Sequence, residues 1–130
     1  MNIKREIRKL LPPRLCGSHK GNFGRVFILA GSKGLSGACV LAGMAALRAG
    51  AGLVTVGVPE SLALPLARRM TEAMTVSLAE TETGSISLKA FRAILKFLGN
   101  QDIFALGPGL SQHPSTQQLI RKAVLACQKP

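Results

Sequence analysis

The 130-residue sequence predicts an α/β fold, a mostly parallel central sheet flanked by helices. Three observations carry this prediction. Apolar runs of strand length, RVFILAG and LVTVGVP, end in glycine or proline and alternate with longer stretches of helical character. The runs are continuous rather than alternating, the pattern of parallel strands covered on both faces. Hydrophobic residues make up 47% of the chain, enough for one real core, and with five Phe and no Tyr or Trp that core must be built from Leu, Ala, Val and Ile.

Taken in order, NIKREIRKLLPP reads as a basic amphipathic lead-in helix at about 2–11, leaning on the domain edge. It carries Ile3, Ile7, Leu10 and Leu11 on one face and is stopped by Pro12 and Pro13. A loop holding His19 and Lys20 leads into the first strand at Arg25. The stretch SGACVLAGMAALRAGAG predicts a buried helix of small residues, with Ser36 as N-cap and Gly50 or Gly52 as its stop. The second strand is LVTVGVP, and ESLALPLARRM is a short helix that Pro65 is expected to kink or confine to its first turn. AMTVSLAE is the third strand. After the polar turn TETGS, the spacing of Leu88, Phe91, Ile94, Leu95 and Leu98 predicts a helix closed by Gly99 and Asn100. DIFALGPGLS is a fourth strand running into a glycine loop, and PSTQQLIRKAVLACQ a last helix. The order implies right-handed crossovers, and the chain stops at CQKP where a further strand is expected.

A net charge of +11 admits a nucleic acid, an anionic surface or a phosphorylated small molecule as partner. Seven of the 17 basic residues fall in the first 25, with only Phe23 among them, so a base-stacking nucleic-acid platform is disfavoured. Cys16, Cys39 and Cys127 form no CxxC pair, which argues against a disulfide framework or a zinc site and for a reduced, cytoplasmic setting. The longest apolar segment, 38–47, is stopped by Arg48 and is too short to span a bilayer, so no membrane partner is expected.

In an open parallel sheet, ligands gather at the carboxyl ends of the strands. Two loops fall there, AGSKGLSGA after the first strand and GPGLS after the fourth. Gly31, Gly34 and Gly37 allow close backbone approach, and the helix start beyond Ser36 favours an anion. Their spacing matches neither a Walker A loop nor a dinucleotide GxGxxG, so an anion site and ordinary strand-to-helix turns both stay open. His19 and His113 have no partner at a catalytic spacing and read as surface or capping residues. The six carboxylates are Glu6, Glu60, Glu72, Glu80, Glu82 and Asp102, of which only Glu60 is expected on the ligand side. An anion site without a general base is half an active site.

The segments HKGNFG at 19–24, AGS at 30–32, SGA at 36–38, AALRAGAGLVTV at 45–56, PE at 59–60 and GPGL at 107–110, in this order, closely resemble the ADP-dependent (S)-NAD(P)H-hydrate dehydratases, members of the ribokinase-like (carbohydrate kinase-like) superfamily. The resemblance runs from Leu10 onward. It implies a repair reaction in which hydrated NADH or NADPH is phosphorylated on its hydroxyl and then loses phosphate, with ADP giving AMP. ADP or ATP is the implied co-substrate, with Mg2+. By motif, Ala38 and Gly109 match positions that contact the hydrated substrate. Gly31, Ser32, Gly37 and Gly107 stand beside them as candidate phosphate contacts, as do His19 and Lys20 in the loop leading in.

Family domains are about twice as long, and their second half carries the nucleotide-binding glycines and the aspartate expected as base. The resemblance therefore implies that residues 1–130 are an N-terminal half, with no catalytic residue and no metal ligand of its own, inactive in isolation; its incomplete parallel sheet exposes an edge and uncovered apolar surface, so a homo-oligomer is expected. A ribokinase-like small-molecule kinase fragment and a noncatalytic nucleotide-binding or oligomerising remnant are the alternatives.

Overall fold

The protein is described here from a computed structural model covering residues 3–11 and 13–130. Asn2 and Pro12, assigned above to the lead-in helix and its stop, lie outside the described residues. The helices are α1 (Ile3–Leu10), α2 (Ser36–Arg48), α3 (Glu60–Arg69), α4 (Phe91–Leu98) and α5 (Pro114–Ala126). The strands are β1 (Arg25–Leu29), β2 (Leu53–Pro59), β3 (Met74–Leu78) and β4 (Ile103–Leu106), all parallel and in the order β3-β2-β1-β4.

Strand alternation divides the core into two layers. Ile28 of the first strand and Ala30 just beyond its end join Val54, Val56 and Val58 of the second beneath α2 and α3, with Cys39, Leu66 and Met70. Phe27 and Leu29 point the other way and pack with Leu78, Ile94, Leu98 and Leu119 beneath α4 and α5. The prediction that the first strand is covered on both faces therefore holds. Phe27 is fully buried, and its ring lies 4.8 Å from that of Phe97 and 5.7 Å from that of Phe104. Gly57 makes room for it, since a Cβ there would stand 2.8 Å from Phe27 Cζ.

The first long helix ends as its glycines suggested. The amide of Ala51 donates to Ala46 O and that of Gly50 to Leu47 O, with Gly50 at φ 105°, a Schellman termination that needs the left-handed region. Its start differs from expectation: the helix begins at Ser36 itself, Leu35 is the cap residue, and no side chain caps it. Its burial is also one-sided, with Cys39 and Gly43 buried and Leu41 well exposed.

Pro65 lies inside α3 rather than ending it; the helix runs on to Arg69, held by burial of Leu66 and Met70 in the core. Helix α1 does not lean on the domain. Ile3, Ile7 and Leu10 are 61%, 49% and 81% exposed, so its apolar stripe is uncovered by the described residues.

Candidate functional site

The first crossover carries the chain from β1 outward to β2, and the one through α4 brings it back across to the far side of β1, so the sheet changes direction between β1 and β4. Loops leaving the carboxyl ends of two such neighbours diverge into helices on opposite faces and leave a crevice. Those loops are the two glycine segments singled out in the sequence.

They are stitched together. The amide of Gly107 donates to Leu29 O at 3.2 Å, and the amide of Gly31 to Pro108 O at 2.9 Å. The buried Ser32 hydroxyl donates to Gly109 O at 2.8 Å. Gly109 has φ 68°, and a Cβ on it would stand 2.7 Å from Leu35 O and 2.9 Å from Ala38 Cβ. Gly31, at φ 87°, has Cys39 Sγ where its own Cβ would be. Gly37 occupies the exposed first turn of α2, where the helix dipole is positive and the Ala38 amide donates to Leu35 O at 3.3 Å. The structure thus brings Gly31, Ser32, Gly37, Ala38, Gly107 and Gly109 to one place.

It does not bring His19 and Lys20 there. His19 caps a short 3-10 turn, Lys20–Phe23, accepting from the Gly21 amide while Asn22 accepts from the His19 amide. This turn precedes β1 and is clasped by Gly52, whose amide donates to Phe23 O and Gly24 O and which has no room for a Cβ against Lys20 O. Both residues stand at the amino edge of the sheet, separated from the crevice by the length of β1, about 16 Å. Arg14 at this edge is committed to structure, stacked 4.2 Å over Phe23 and donating to Gly50 O.

The carboxylates are arranged differently from the sequence expectation that Glu60 alone stands on the ligand side. Glu80 and Glu82 follow the carboxyl end of β3 and also lie on that side. Both are engaged: Glu80 accepts from the amide and hydroxyl of Ser61, capping α3, and Glu82 Oε1 stands 2.9 Å from His113 Nε2. Asp102, as expected, is at the opposite edge, accepting from the Arg25 amide at 2.7 Å.

Hydrogen bonds from its own backbone amide and from His113 hold the Glu82 carboxyl below its ordinary range, so it is ionised. Burial pushes the Cys39 thiol up, which keeps it protonated and unreactive. The expectation for His113 was a surface or capping residue, and its Nδ1 does accept from the Ser115 amide at the start of α5. Its second partner, Glu82, is 31 residues away and no local spacing announces it.

The chemistry available at the crevice is therefore backbone amides, a helix start and small residues, suited to binding an extended anion. No group of three or more His, Cys, Asp or Glu able to hold a metal ion is found among the described residues. No helix is long and apolar enough to cross a membrane among the described residues.

Comparison with known proteins agrees with this architecture. Residues 26–130 match the Carb_kinase family, described as NAD(P)H-hydrate dehydratase. The bifunctional NAD(P)H-hydrate repair enzyme Nnr of Moorella thermoacetica is 46% identical over 123 residues, 95% of this chain and 23% of that protein. Among solved structures, a ribokinase-like superfamily protein from Enterococcus faecalis superposes with a TM-score of 0.74 at 28% identity, covering 91% of this chain and 38% of its own. The ADP/ATP-dependent NAD(P)H-hydrate dehydratase of Bacillus subtilis, co-crystallised with ATP/Mg2+, gives 0.68 at 29% identity, covering 95% of this chain and 41% of its own. The chain spans less than half the length of each of these relatives. With a family match over most of its length and the same ribokinase-like fold, it belongs to the NAD(P)H-hydrate dehydratase family.

Proposed function

We propose that this chain is the substrate-side half of an NAD(P)H-hydrate dehydratase domain, whose crevice between β1 and β4 cradles the hydrated dinucleotide. The observation that carries the reading is the direct join of the two glycine loops, with Gly109 pressed against Leu35 and Ala38 and tied to Ser32. The positive end of α2 faces a ligand's phosphates, and the lack of a Cβ at Gly109 lets its loop seat directly against Leu35 and Ala38. These are binding features.

The reaction needs more. A hydroxyl is a poor leaving group; phosphorylating it converts it into phosphate, which can leave as the ring double bond re-forms, and the net change takes ADP and the hydrate to AMP, phosphate and NAD(P)H. A base must draw the proton from that hydroxyl. Glu80 and Glu82 are held by Ser61 and His113, and Glu60 stands at the first turn of α3, where its charge complements the helix dipole. The base, the nucleotide and any metal therefore belong to a complementing half, and the assembled enzyme is a soluble, homo-oligomeric, cytoplasmic one.

Two measurements test this. Titration of the 130-residue chain with NADPH followed by amide NMR should perturb Gly31, Ser32, Ala38 and Gly109 and leave His19 and Lys20 unmoved. Adding ADP and hydrated NADPH to the same chain should yield no NADPH absorbance, and appreciable turnover would refute the assignment of the base to another half.

A further inference from the structure

We propose that Glu82 and His113 form a latch that positions the hairpin at 80–86 as one wall of the crevice. The proposal rests on the reading of the crevice as a dinucleotide site.

The hairpin is built after β3, with an antiparallel bridge between Glu80 and Ile86 and the Thr81 amide donating to Ser85 O at 2.7 Å. Its base is anchored by a buried hydroxyl network: Thr116 Oγ1 donates to Ile86 O at 2.8 Å and stands 3.0 Å from Ser85 Oγ, which also meets Thr81 Oγ1. Its tip reaches the loop after β1. The amide of Lys33 donates to Gly84 O at 2.8 Å, and Gly84, at φ 75°, lies so close that a Cβ on it would stand 2.8 Å from Lys33 Cβ. The hairpin thus joins the start of α5 to the loop that carries Gly31 and Ser32.

Both nitrogens of His113 are used in this join. Because Nδ1 accepts from the Ser115 amide, Nε2 carries the proton and donates to Glu82 Oε1. One ring therefore caps α5 and pins the hairpin between its anchored base and its tip. The Glu82 side chain is 78% exposed, and an exposed pair of this kind adds little to global stability. What it controls is local: without it the hydroxyl network holds the base and the Gly84 amide on Thr81 O and the Thr81–Thr83 hydroxyl pair still close the turn, while the tie of the tip to the start of α5 is lost and its contact with Lys33 loosens.

The substitutions separate capping from latching. Asn is a good helix cap but is too short to reach Glu82, so His113→Asn keeps the first function and loses the second. Glu82→Ala removes the acceptor, and Glu82→Gln restores one. Amide hydrogen exchange should show Lys33 exchanging at least tenfold faster in His113→Asn and Glu82→Ala, near the parent rate in Glu82→Gln, and no faster in the double variant than in either single one. The urea midpoint should stay unchanged, and NADPH affinity should fall severalfold in the same two single variants.

Unchanged Lys33 protection in both single variants, or a loss of protection that merely follows a falling urea midpoint, would overturn the latch. Loosening of Lys33 with NADPH affinity intact would overturn its role at the crevice. If the parent chain binds no NADPH, the dinucleotide reading fails, and the exchange data alone then decide whether the latch exists.

Discussion

Gly109 offers a sharp test of how the crevice is built. Placing alanine there has two costs that the structure separates. At φ 68° a side-chain-bearing residue sits in the left-handed region, costing roughly 1–2 kcal/mol. The new Cβ also meets Leu35 O at 2.7 Å and Ala38 Cβ at 2.9 Å, and neither is the flexible end of a side chain, so a loop or the start of α2 has to shift. Overpacking of this kind typically costs about 1–3 kcal/mol.

The sum, about 2–5 kcal/mol, is a large fraction of a total stability of roughly 5–15 kcal/mol. Gly34 supplies the control, because it shares the backbone conformation at φ 85° but has nothing within 4 Å of its would-be Cβ. Urea denaturation of Gly109→Ala and Gly34→Ala should therefore differ by the clash alone, with Gly109→Ala the less stable by about 1–3 kcal/mol. NADPH binding should be lost in the first and retained in the second. Equal stabilities for the two variants would refute the argument that the loop at 107–110 seats directly on α2.

Phe27→Ala empties the centre of the layer beneath α4 and α5, where the ring is fully buried between Phe97 and Phe104, and should cost about 3–5 kcal/mol by urea denaturation. Glu82 is held below the ordinary carboxylate range, so what its ionised form contributes is present above its unfolded-state pKa and is lost as pH falls through the lower folded value. Protection of the Lys33 amide should accordingly hold at neutral pH and collapse on acidification, as an exchange series across pH would show. The outer side of the sheet beside β4 exposes Ile103, Val124 and Leu125, the last at 87%, so the isolated chain should self-associate with rising concentration in sedimentation velocity. A monodisperse monomer across the concentration range would contradict this.

Much of the architecture was legible in the chain because it is written in local terms. The runs at 26–31 and 53–59 are continuous and apolar but for Thr55, the pattern of a strand buried on both faces, and the helix stop at Gly50 follows from the glycine needed for a left-handed turn. The alternation of such runs with helical stretches is enough to imply parallel strands, and through them a ligand crevice at the carboxyl ends. Pro65 does not confine α3 to its first turn and Ser36 does not cap α2, for a shared reason. Burial of Leu66 and Met70 outweighs the hydrogen bond that Pro65 cannot make, and the contact with the loop at 107–110 sets where α2 begins more strongly than the capping preference of Ser36.

By itself, then, the sequence determined the elements, their parallel pairing and the two glycine loops of the site. Only the tertiary structure decided which residues share it. Strand order puts β1 beside β4, and this joins Ser32 and Ala38 to Gly109 across more than seventy residues of chain, while His19 and Lys20, only a strand away in sequence, are left at the opposite edge. The same folding brought Glu82 to His113. Such contacts depend on where crossovers return the chain, a property of the packed layers as a whole that no local spacing encodes.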